Sequence, residues 1–366
     1  MRHYKIAVAP GDGIGVEVFA EAQKALQALT ELDGGLKFET KEFDWGCERY
    51  LKQGSMMPAD TLTMVESEGF NAILLGPVGD PRVPDHISLW GMLLPFRQGF
   101  DQYINLRPVR LLEGVPGPLA GKGPKDIDMI CVRENVEGEY CGSGGRMYRG
   151  TSDEIATQTG VFTRRGTERV IRYAFEYARQ HKRKKVTSAT KSNAINYSMV
   201  FWDDIFREVA ARYPGIAHEQ QLIDSMCARF VMKPESLDVV VASNLFGDIL
   251  TDLGAAIAGS MGLAPSANLN PERKYPSLFQ AIHGSAPDIA GKGISNPIAT
   301  LWSVSMMLDH LGEPALGAAL LKAIEKVLAA GKVRTPDLGG KAKTREVGKA
   351  VLDALQKPKA SSVSSR

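Results

Sequence analysis

The chain has 366 residues, of which 44% are hydrophobic and 23% are charged, and its formal net charge is +2. This composition is typical of a globular protein with a full core, and the length suits a two-lobed enzyme. The near balance of charge creates no global field that would favour nucleic acid, and no apolar stretch is long enough for a transmembrane helix. We therefore expect a soluble, cytoplasmic protein without nucleic-acid or membrane partners.

The cysteines give no sign of a disulfide framework or a zinc site. They are widely spaced, form no CxxC pair and have no histidine cluster beside them: Cys47, Cys131, Cys141 and Cys227. Reduced thiols in a cytosolic enzyme are the expected state. The basic run at residues 179–185 has no interleaved aromatic residues, so it predicts a solvated helix end rather than a nucleic-acid site.

The first part of the chain alternates strands with helices. The pattern predicts a strand over 5–9, a glycine loop at 11–15, a helix near 15–31, a strand near 36–43, a helix near 58–68 and a buried strand over 72–75. This βαβ order predicts a mostly parallel sheet with helices on its faces.

The middle of the chain predicts longer strands that are broken by glycine-rich turns such as residues 142–145. These strands are expected near 104–111, 127–133 and 155–163. A helix at 164–181, a strand at 184–188, a helix near 194–213 and a strand at 238–242 follow. From Gly247 the chain is predicted to be helical, then polar around 266–276, and helical again near 297–311 and 314–330. The Lys- and Ser-rich residues 357–366 predict a disordered tail.

The strongest chemical signal is SNLFGDILTD at residues 243–252, directly after a predicted strand. Asp248 and Asp252 are four residues apart, so they share one face of a helix, where two carboxylates repel by about 0.2–0.5 kcal/mol. A hard cation such as Mg²⁺ or Mn²⁺ would offset this repulsion, and the end of a strand is where open α/β sheets bind ligands. The alternative is a helix cap followed by a surface acid.

Three arginines bracket the middle of the chain: Arg97 in LPFR, Arg107 in NLRP and Arg133 in CVREN. Guanidinium groups bind carboxylates bidentately, so such a set suits a dicarboxylic acid. Any one of them alone is more often a surface residue. Arg133 is the strongest candidate, because it ends an apolar run where a strand meets a crevice.

The segment HGSAPDIAGKG at residues 283–293 predicts a cofactor loop. Its small residues let the backbone approach a ligand closely, and Asp288 can accept hydrogen bonds from ribose hydroxyls. A tight surface loop is the alternative. The loop at 11–15 has the spacing GxGxG rather than GxGxxG, so we do not place a pyrophosphate there.

Five segments together resemble the β-decarboxylating dehydrogenases, a family that includes isopropylmalate, isocitrate, homoisocitrate and tartrate/D-malate dehydrogenases. They occur in order between about residues 5 and 355: GDGIG at 11–15, NLRP at 105–108, VREN at 132–135, NLFGDIL at 244–250 and HGSAPDIAG at 283–291. Residues 86–94 and 266–273 look most like the tartrate/D-malate branch.

The resemblance implies an α/β, isopropylmalate dehydrogenase-like two-domain fold with a mostly parallel sheet, distinct from the Rossmann fold. Residues 1–100 and 256–356 would form the cofactor-side domain. Residues 101–255 would form a second domain with the dimer interface and the metal and substrate residues. The active protein would be a homodimer with shared active sites.

The resemblance also implies roles for individual residues. Arg97, Arg107 and Arg133 would bind the substrate carboxylates, with Ser88 and Trp90 beside them. The metal would be held by three acids, of which the first comes from the partner chain: Asp224, Asp248 and Asp252. Lys191, also from the partner chain, would accept the proton of the C2 hydroxyl, and Tyr140 would protonate the enol after decarboxylation.

The implied cofactor residues lie on the loop described above and just after it: His283, Gly284, Ser285, Ala286, Pro287, Asp288, Ile289 and Asn296. Asp288 would select NAD over NADP, because a 2′-phosphate would meet a like charge. The implied reaction is NAD- and Mn²⁺- or Mg²⁺-dependent oxidation and decarboxylation of a small 2-hydroxy diacid, either D-malate (to pyruvate and CO₂) or tartrate. Whether K⁺ is also required stays open.

Two departures from the family pattern leave alternatives open. Gln280 and Ala281 stand where family members usually carry Glu-Pro, which puts cofactor affinity or turnover in question. Trp90 stands where isopropylmalate enzymes place an acid beside an apolar pocket, which argues against 3-isopropylmalate as the substrate. The alternatives are a 3-isopropylmalate dehydrogenase and a catalytically silent paralogue that acts as a binding or regulatory subunit. The retained Lys191 and Tyr140 argue against the silent paralogue.

Overall fold

A ten-stranded sheet forms the centre of the computed structural model, which describes residues 1–356. The described residues form twelve strands, of which ten belong to this sheet. In chain order they are β1 (Arg2–Ala9), β2 (Leu36–Glu42), β3 (Ala72–Leu75), β4 (Ile104–Arg110), β5 (Asp128–Glu134), β6 (Gly138–Met147), β7 (Ile155–Val161), β8 (Lys185–Thr190), β9 (Ala217–Leu222), β10 (Val239–Ala242), β11 (Pro265–Leu269) and β12 (Ser277–Ala281). Their order in the sheet is β2-β1-β3-β12-β11-β4-β5-β10-β8-β9, and β6 and β7 form a separate two-stranded arm.

Twelve α-helices accompany the strands within the described residues. They are α1 (Gly15–Asp33), α2 (Cys47–Gln53), α3 (Thr61–Ser67), α4 (Asp85–Ser88), α5 (Leu94–Gly99), α6 (Arg164–Gln180), α7 (Ser198–Ala210), α8 (Ile223–Met232), α9 (Asn244–Ile257), α10 (Ile298–Leu311), α11 (Pro314–Ala330) and α12 (Thr344–Ala354). A π-helical turn, Leu89–Leu93, joins α4 to α5. No helix within residues 1–356 combines the length and apolarity needed to span a membrane.

The sheet is mostly parallel, as predicted, because β1, β2, β3 and β12 pair in parallel at one side and β5, β10, β8 and β9 at the other. Antiparallel pairing is confined to the middle, where β11 pairs with β12 and β4, and β4 pairs with β5. The β4–β11 pairing joins the strands of the two predicted domains in one continuous sheet. The proposed domain boundaries therefore stay a prediction.

Most of the predicted elements are confirmed, within a few residues at their ends, but two predictions are wrong. The glycine-rich turn predicted at 142–145 lies inside β6, which is held by backbone pairing with β7 and not by side-chain packing. The polar stretch predicted around 266–276 begins with the fully buried strand β11. Its polar side chains, Ser266 and Asn268, are inside because they hydrogen-bond to buried asparagines outside this strand, so polarity does not indicate exposure there.

Several elements were not predicted, namely α2, α4, α5, α8, α12, β9 and β12. The first three helices and β9 have at most seven residues each, too few for a clear periodic pattern. The helix predicted near 194–213 is shorter, at Ser198–Ala210. The predicted disordered tail, residues 357–366, lies outside the described residues.

Candidate active site

One face of the central strands carries the predicted arginines. Asn105 of β4 lies opposite Arg133 of β5, and side chains alternate along a strand, so Asn105, Arg107 and Arg133 point to the same side. We call this side the front face. Helix α9 follows β10, which pairs with β5, so its first turns pack against Arg133. Gly247 permits this approach, since a Cβ there would lie 2.5 Å from Arg133 Cγ.

Arg133 is fully engaged by two residues of α9. Its Nε and Nη2 donate to Asn244 Oδ1 at 3.1 and 2.7 Å, and its Nη1 donates to Asp248 Oδ1. Asn244 is itself fully buried, and its amide donates to Glu137 O at 2.9 Å. Asn244 begins the NLFGDIL motif, but no role for it was predicted from the sequence. The sequence feature that could have indicated a role was the position of Asn244 just after the end of a strand.

Arg107 and Arg97 are both buried but differ in their partners. Arg107 Nε donates to Asn105 Oδ1 at 2.7 Å, and its Nη1 donates to Thr251 Oγ1 and lies 3.5 Å from Asp248 Oδ1. Arg97, on α5, has no ion pair or side-chain hydrogen bond to any residue within 1–356, and its Nε is buried without a partner. A buried guanidinium without a partner is costly unless an anion from outside the chain completes it.

The arginines and acids shift each other's pKa values. Burial, followed by the charges of Arg133 and Arg107, lowers the pKa of Arg97 to about 9. Burial alone would raise the pKa of Asp248, but the neighbouring arginines outweigh it and hold this pKa below its usual value. Burial raises the pKa of Asp252, although Arg107 opposes this shift. The three guanidinium groups thus face only two carboxylates, which leaves positive charge for an anionic ligand.

Tyr140, at the start of β6, joins the same cluster. Its hydroxyl donates to Asp248 Oδ2 at 3.0 Å, and its ring lies 5.6 Å from the guanidinium carbon of Arg133. Burial, with the nearby charge of Asp248, raises the pKa of the Tyr140 hydroxyl, so it stays protonated at neutral pH. The structure therefore brings Arg107, Arg133, Tyr140 and Asp248 together.

Ser88 and Trp90 lie on the helical segment that leads to Arg97. The Ser88 hydroxyl is buried and donates to Asp85 O at 2.9 Å. The Trp90 ring is 43% exposed and packs on the arm, since a Cβ at Gly142 would lie 2.8 Å from it. Neither side chain hydrogen-bonds to the arginines. Their assignment to the substrate site stays a prediction.

Lys191 and Asp224 form a pair of their own. Lys191 follows β8 and Asp224 lies in the first turn of α8, and Nζ is 2.7 Å from Oδ1. Hydrogen bonding by Lys191 lowers the pKa of the Asp224 carboxyl. Within residues 1–356 no group of three or more His, Cys, Asp or Glu side chains is placed to hold a metal ion. A single chain thus does not bring Asp224 to Asp248 and Asp252.

The predicted cofactor loop rests on the glycine loop at 11–15. Ile14 N donates to Ser285 O at 2.9 Å, and a Cβ at Gly13 would lie 2.1 Å from that oxygen. The carboxylate of Asp12 accepts hydrogen bonds from Cys47 N and Gly79 N. Cβ atoms at Gly11 and Gly15 would likewise lie 2.2 Å from Pro77 O and 2.1 Å from Pro10 O, so close backbone packing accounts for the three glycines of this loop.

The remaining residues predicted to bind the cofactor differ in whether their side chains already have hydrogen-bond partners. His283 Nε2 is buried without a partner, and burial lowers the pKa of this imidazole, so it is neutral at pH 7. Asp288 is exposed. Asn296 is occupied, since it donates to Asp337 Oδ2 at 3.0 Å and accepts from Ile298 N at 3.0 Å. Gly284, Ala286, Pro287 and Ile289 lie on the same loop, exposed or partly buried.

Gln280 lies on β12 opposite Ser266 of β11. It is buried, and its side chain makes no hydrogen bond within residues 1–356; only its backbone oxygen accepts, from Ser303 Oγ at 2.8 Å. A neutral amide is tolerated there without a partner more easily than a carboxylate would be.

The fold is an α/β fold with a mostly parallel sheet, and the site gathers buried arginines and carboxylates beside β4, β5 and α9. A family model described as isocitrate/isopropylmalate dehydrogenase matches residues 5–351. The chain belongs to the isocitrate/isopropylmalate dehydrogenase family and is therefore an enzyme of the dehydrogenase class.

Curated relatives match over nearly the full length. The chain is 55% identical over 363 residues to D-malate dehydrogenase [decarboxylating] of Escherichia coli, covering 97% of this chain and 99% of that one. It is 52% identical over 360 residues to tartrate dehydrogenase/decarboxylase of Pseudomonas putida, covering 96% and 98%. The crystal structure of isocitrate dehydrogenase from Methylococcus capsulatus has a TM-score of 0.86 and 34% identity, and the match covers 96% of this chain and 99% of that chain. These matches support a decarboxylating dehydrogenase reaction.

Proposed function

We propose that this chain is an NAD-dependent and divalent-metal-dependent dehydrogenase that oxidises and decarboxylates a small 2-hydroxy diacid, D-malate or tartrate. The observation that carries the proposal is Arg97, a buried guanidinium with no partner among residues 1–356, beside the partly neutralised Arg107 and Arg133. A diacid supplies two carboxylates for such a cluster. The names of the relatives support these two diacids.

The acids of α9 fit a divalent cation. Asp248 and Asp252 lie one turn apart, and the Asp252 side chain is 61% exposed, with its nearest charged partner, Arg107, at 3.8 Å. Carboxylate oxygens that are free to turn outward are suitable ligands for Mn²⁺ or Mg²⁺. When bound, the cation supplies a Lewis acid for the substrate oxygens, and NAD supplies the hydride acceptor.

We further propose that a second copy of the chain completes the site with Lys191 and Asp224. These two residues pair only with each other in one chain, although their chemistry matches that of the acids on α9. Large apolar side chains are exposed near Lys191, Asp224 and Asp248: Ile195 (40%), Tyr197 (86%), Val231 (40%), Met232 (69%) and Ile249 (50%). Apolar surface of this kind is costly in water and favours an interface.

In the proposed reaction, the arginines hold the two carboxylates of the diacid. Lys191 of the second copy would accept the proton of the C2 hydroxyl, through a water, as the C2–O bond becomes a carbonyl. NAD⁺, when bound, would supply the acceptor for the hydride of C2. The bond from C3 to its carboxylate then breaks, CO₂ departs, and the electron pair stays on the carbon that it leaves. Tyr140 donates its hydroxyl proton to that carbon, a role that suits its raised pKa.

The direct test is to mix purified protein with NAD and Mn²⁺, with or without K⁺, and with D-malate, L-tartrate or 3-isopropylmalate in separate reactions. We expect NADH absorbance and CO₂ release with D-malate or tartrate. NADH with 3-isopropylmalate alone would contradict the proposed substrate. No NADH with any of the three would favour the silent paralogue. A cytoplasmic location stays a prediction.

A further inference from the structure

A buried chain of amides runs from Arg107 across the β4–β11 pairing. Arg107 Nε donates to Asn105 Oδ1 at 2.7 Å, and Asn105 Nδ2 donates to Asn268 Oδ1 at 2.7 Å. Asn135 Nδ2 donates to the same Asn268 oxygen at 3.0 Å. The three asparagines are each 0% exposed. Water therefore cannot replace any of these bonds.

The polarity of this network is fixed at both of its ends. A backbone carbonyl only accepts, so Asn268 directs its Nδ2 to Leu278 O, at 3.3 Å, and its Oδ1 to Asn105. That oxygen in turn requires the Nδ2 of Asn105 to face it. Asn105 must then present its Oδ1 to Arg107, whose Nε only donates. Each amide therefore has one permitted orientation.

We propose that Asn268, on a strand that contributes none of the arginines, is a positioning residue that fixes the orientation of the Arg107 guanidinium. Without the Asn268 oxygen, the buried Nδ2 of Asn105 loses its acceptor, and this amide is held only through its Oδ1, by Arg107 Nε and by Ser266 Oγ at 3.3 Å. The Nε partner of Arg107 is then no longer fixed in place, and Thr251 and the more distant acids are the other groups that hold this guanidinium. This inference rests on the proposed function, because it assigns Arg107 to the substrate carboxylate.

Of the three arginines of the site, Arg107 is the one that hydrogen-bonds to the asparagine network. Arg133 is oriented by Asn244 and Asp248, both on α9, and Arg97 has no partner in the chain. Loss of Asn268 should therefore disturb one of the three guanidinium groups. The effect should appear in the binding of the diacid and not in the binding of NAD, whose predicted loop lies elsewhere in the sequence.

The test compares Asn268→Leu with Gln102→Leu. Gln102 is equally buried, and its Nε2 also makes a hydrogen bond to a distant part of the chain, donating to Pro276 O at 2.8 Å. Its side chain makes no hydrogen bond to Asn105 or Arg107. We expect both variants to melt at lower temperature. Only Asn268→Leu should raise the KM for the diacid, about tenfold, which equals about 1.4 kcal/mol. The KM for NAD should not change in either variant.

A double-mutant cycle with Arg107→Lys tests the route of the effect. A lysine has no Nε–H to be oriented, so Asn268→Leu should raise the diacid KM little further in that background. If Asn268→Leu does not fold, Asn268→Ser takes its place, because its hydroxyl is too short to reach Asn105. A diacid KM that rises equally in Gln102→Leu, or additively with Arg107→Lys, would overturn the inference. Since each comparison is made against active wild-type enzyme, this failure is distinct from absence of the proposed activity.

Discussion

The two faces of the central strands both carry arginines, but the arginines differ in how completely they are paired with carboxylates. On the front face, Arg107 and Arg133 share Asp248, and Arg97 beside them is unpaired. On the back face of β4 and β5, a cavity of about 510 Å³ has Leu106 and Ile130 in its floor. The arginine Arg110 on this face pairs with Glu325 at 3.0 Å.

The aromatic wall of the back cavity is formed by Tyr173, Tyr177 and Trp302. A further arginine there, Arg183, pairs with both Asp128 and Asp238, at 2.8 and 3.1 Å. Arg110 and Arg183 are thus neutralised within the chain, whereas Arg273, an exposed residue that also lines this cavity, has no ion pair within residues 1–356. On the front face, three buried guanidinium groups exceed the available carboxylates. A buried guanidinium without a partner, rather than the presence of arginine or of a cavity, therefore distinguishes the face that we propose for the substrate.

The largest effect is expected for Arg97→Met. Because this guanidinium has no ion pair or side-chain hydrogen bond in the described part of the chain, its loss should remove substrate binding without leaving a buried acid unpaired. We expect kcat/KM for the diacid to fall about 1,000-fold, equal to about 4 kcal/mol, in steady-state assays. The melting temperature should stay the same or rise, since the cost of burying the charge disappears.

A clear loss of stability in Arg97→Met would contradict this account. It would mean that the chain itself contains the counter-charge of Arg97, and the contrast between the two faces would fail.

The second prediction concerns pH and the buried acid Glu134, the last residue of β5, whose side chain points to the back face. Burial raises the pKa of Glu134 to about 7, although the N–H groups of Val136 and Glu137 oppose the shift. The folded state then binds the proton more tightly than the unfolded state, so stability falls as pH rises from about 4.5 through about 7. The contribution is about 3 kcal/mol at most.

Glu134→Gln should remove this dependence. Chemical unfolding at pH 5 and at pH 8 should show that the variant gains stability relative to wild type as pH rises. A difference between the two proteins that does not change with pH would show that Glu134 is already ionised at pH 5.

The smallest effect is expected for Arg183→Met, the back-face counterpart of Arg97→Met. Its removal leaves Asp128 with the more distant Arg110, at 3.6 Å, and Asp238 without its arginine, so the free energy of unfolding should fall by about 1–2 kcal/mol. The kcat/KM for the diacid should stay within about twofold of wild type, because the residue lies on the other side of the sheet. A large loss of activity with unchanged stability would show that Arg183 serves the reaction and not the fold, contrary to the difference between the two faces described above.

The motifs of the sequence pointed to Arg107, Arg133 and Asp248, and the family resemblance pointed to Tyr140. The structure brings these four side chains together, while their roles stay predictions. The sequence could not reveal the role of Asn268, whose bond to Asn105 joins residues 163 positions apart and depends on how two strands pair. The arm of β6 and β7 was missed in part because its glycines carry no side-chain pattern. Buried polar strands such as β11 mislead in the same way, since hydrophobic periodicity is the main signal of a buried strand.

We propose that two copies of the chain share each active site, and subunit mixing tests this proposal most directly. Lys191→Met and Asp252→Asn should each be inactive alone. If Lys191 and Asp252 of one site come from different copies, a mixed dimer contains one intact site. Co-refolding equal amounts of the two variants should then restore about a quarter of wild-type NADH formation. No recovery, in samples shown to contain mixed dimers, would contradict the shared site.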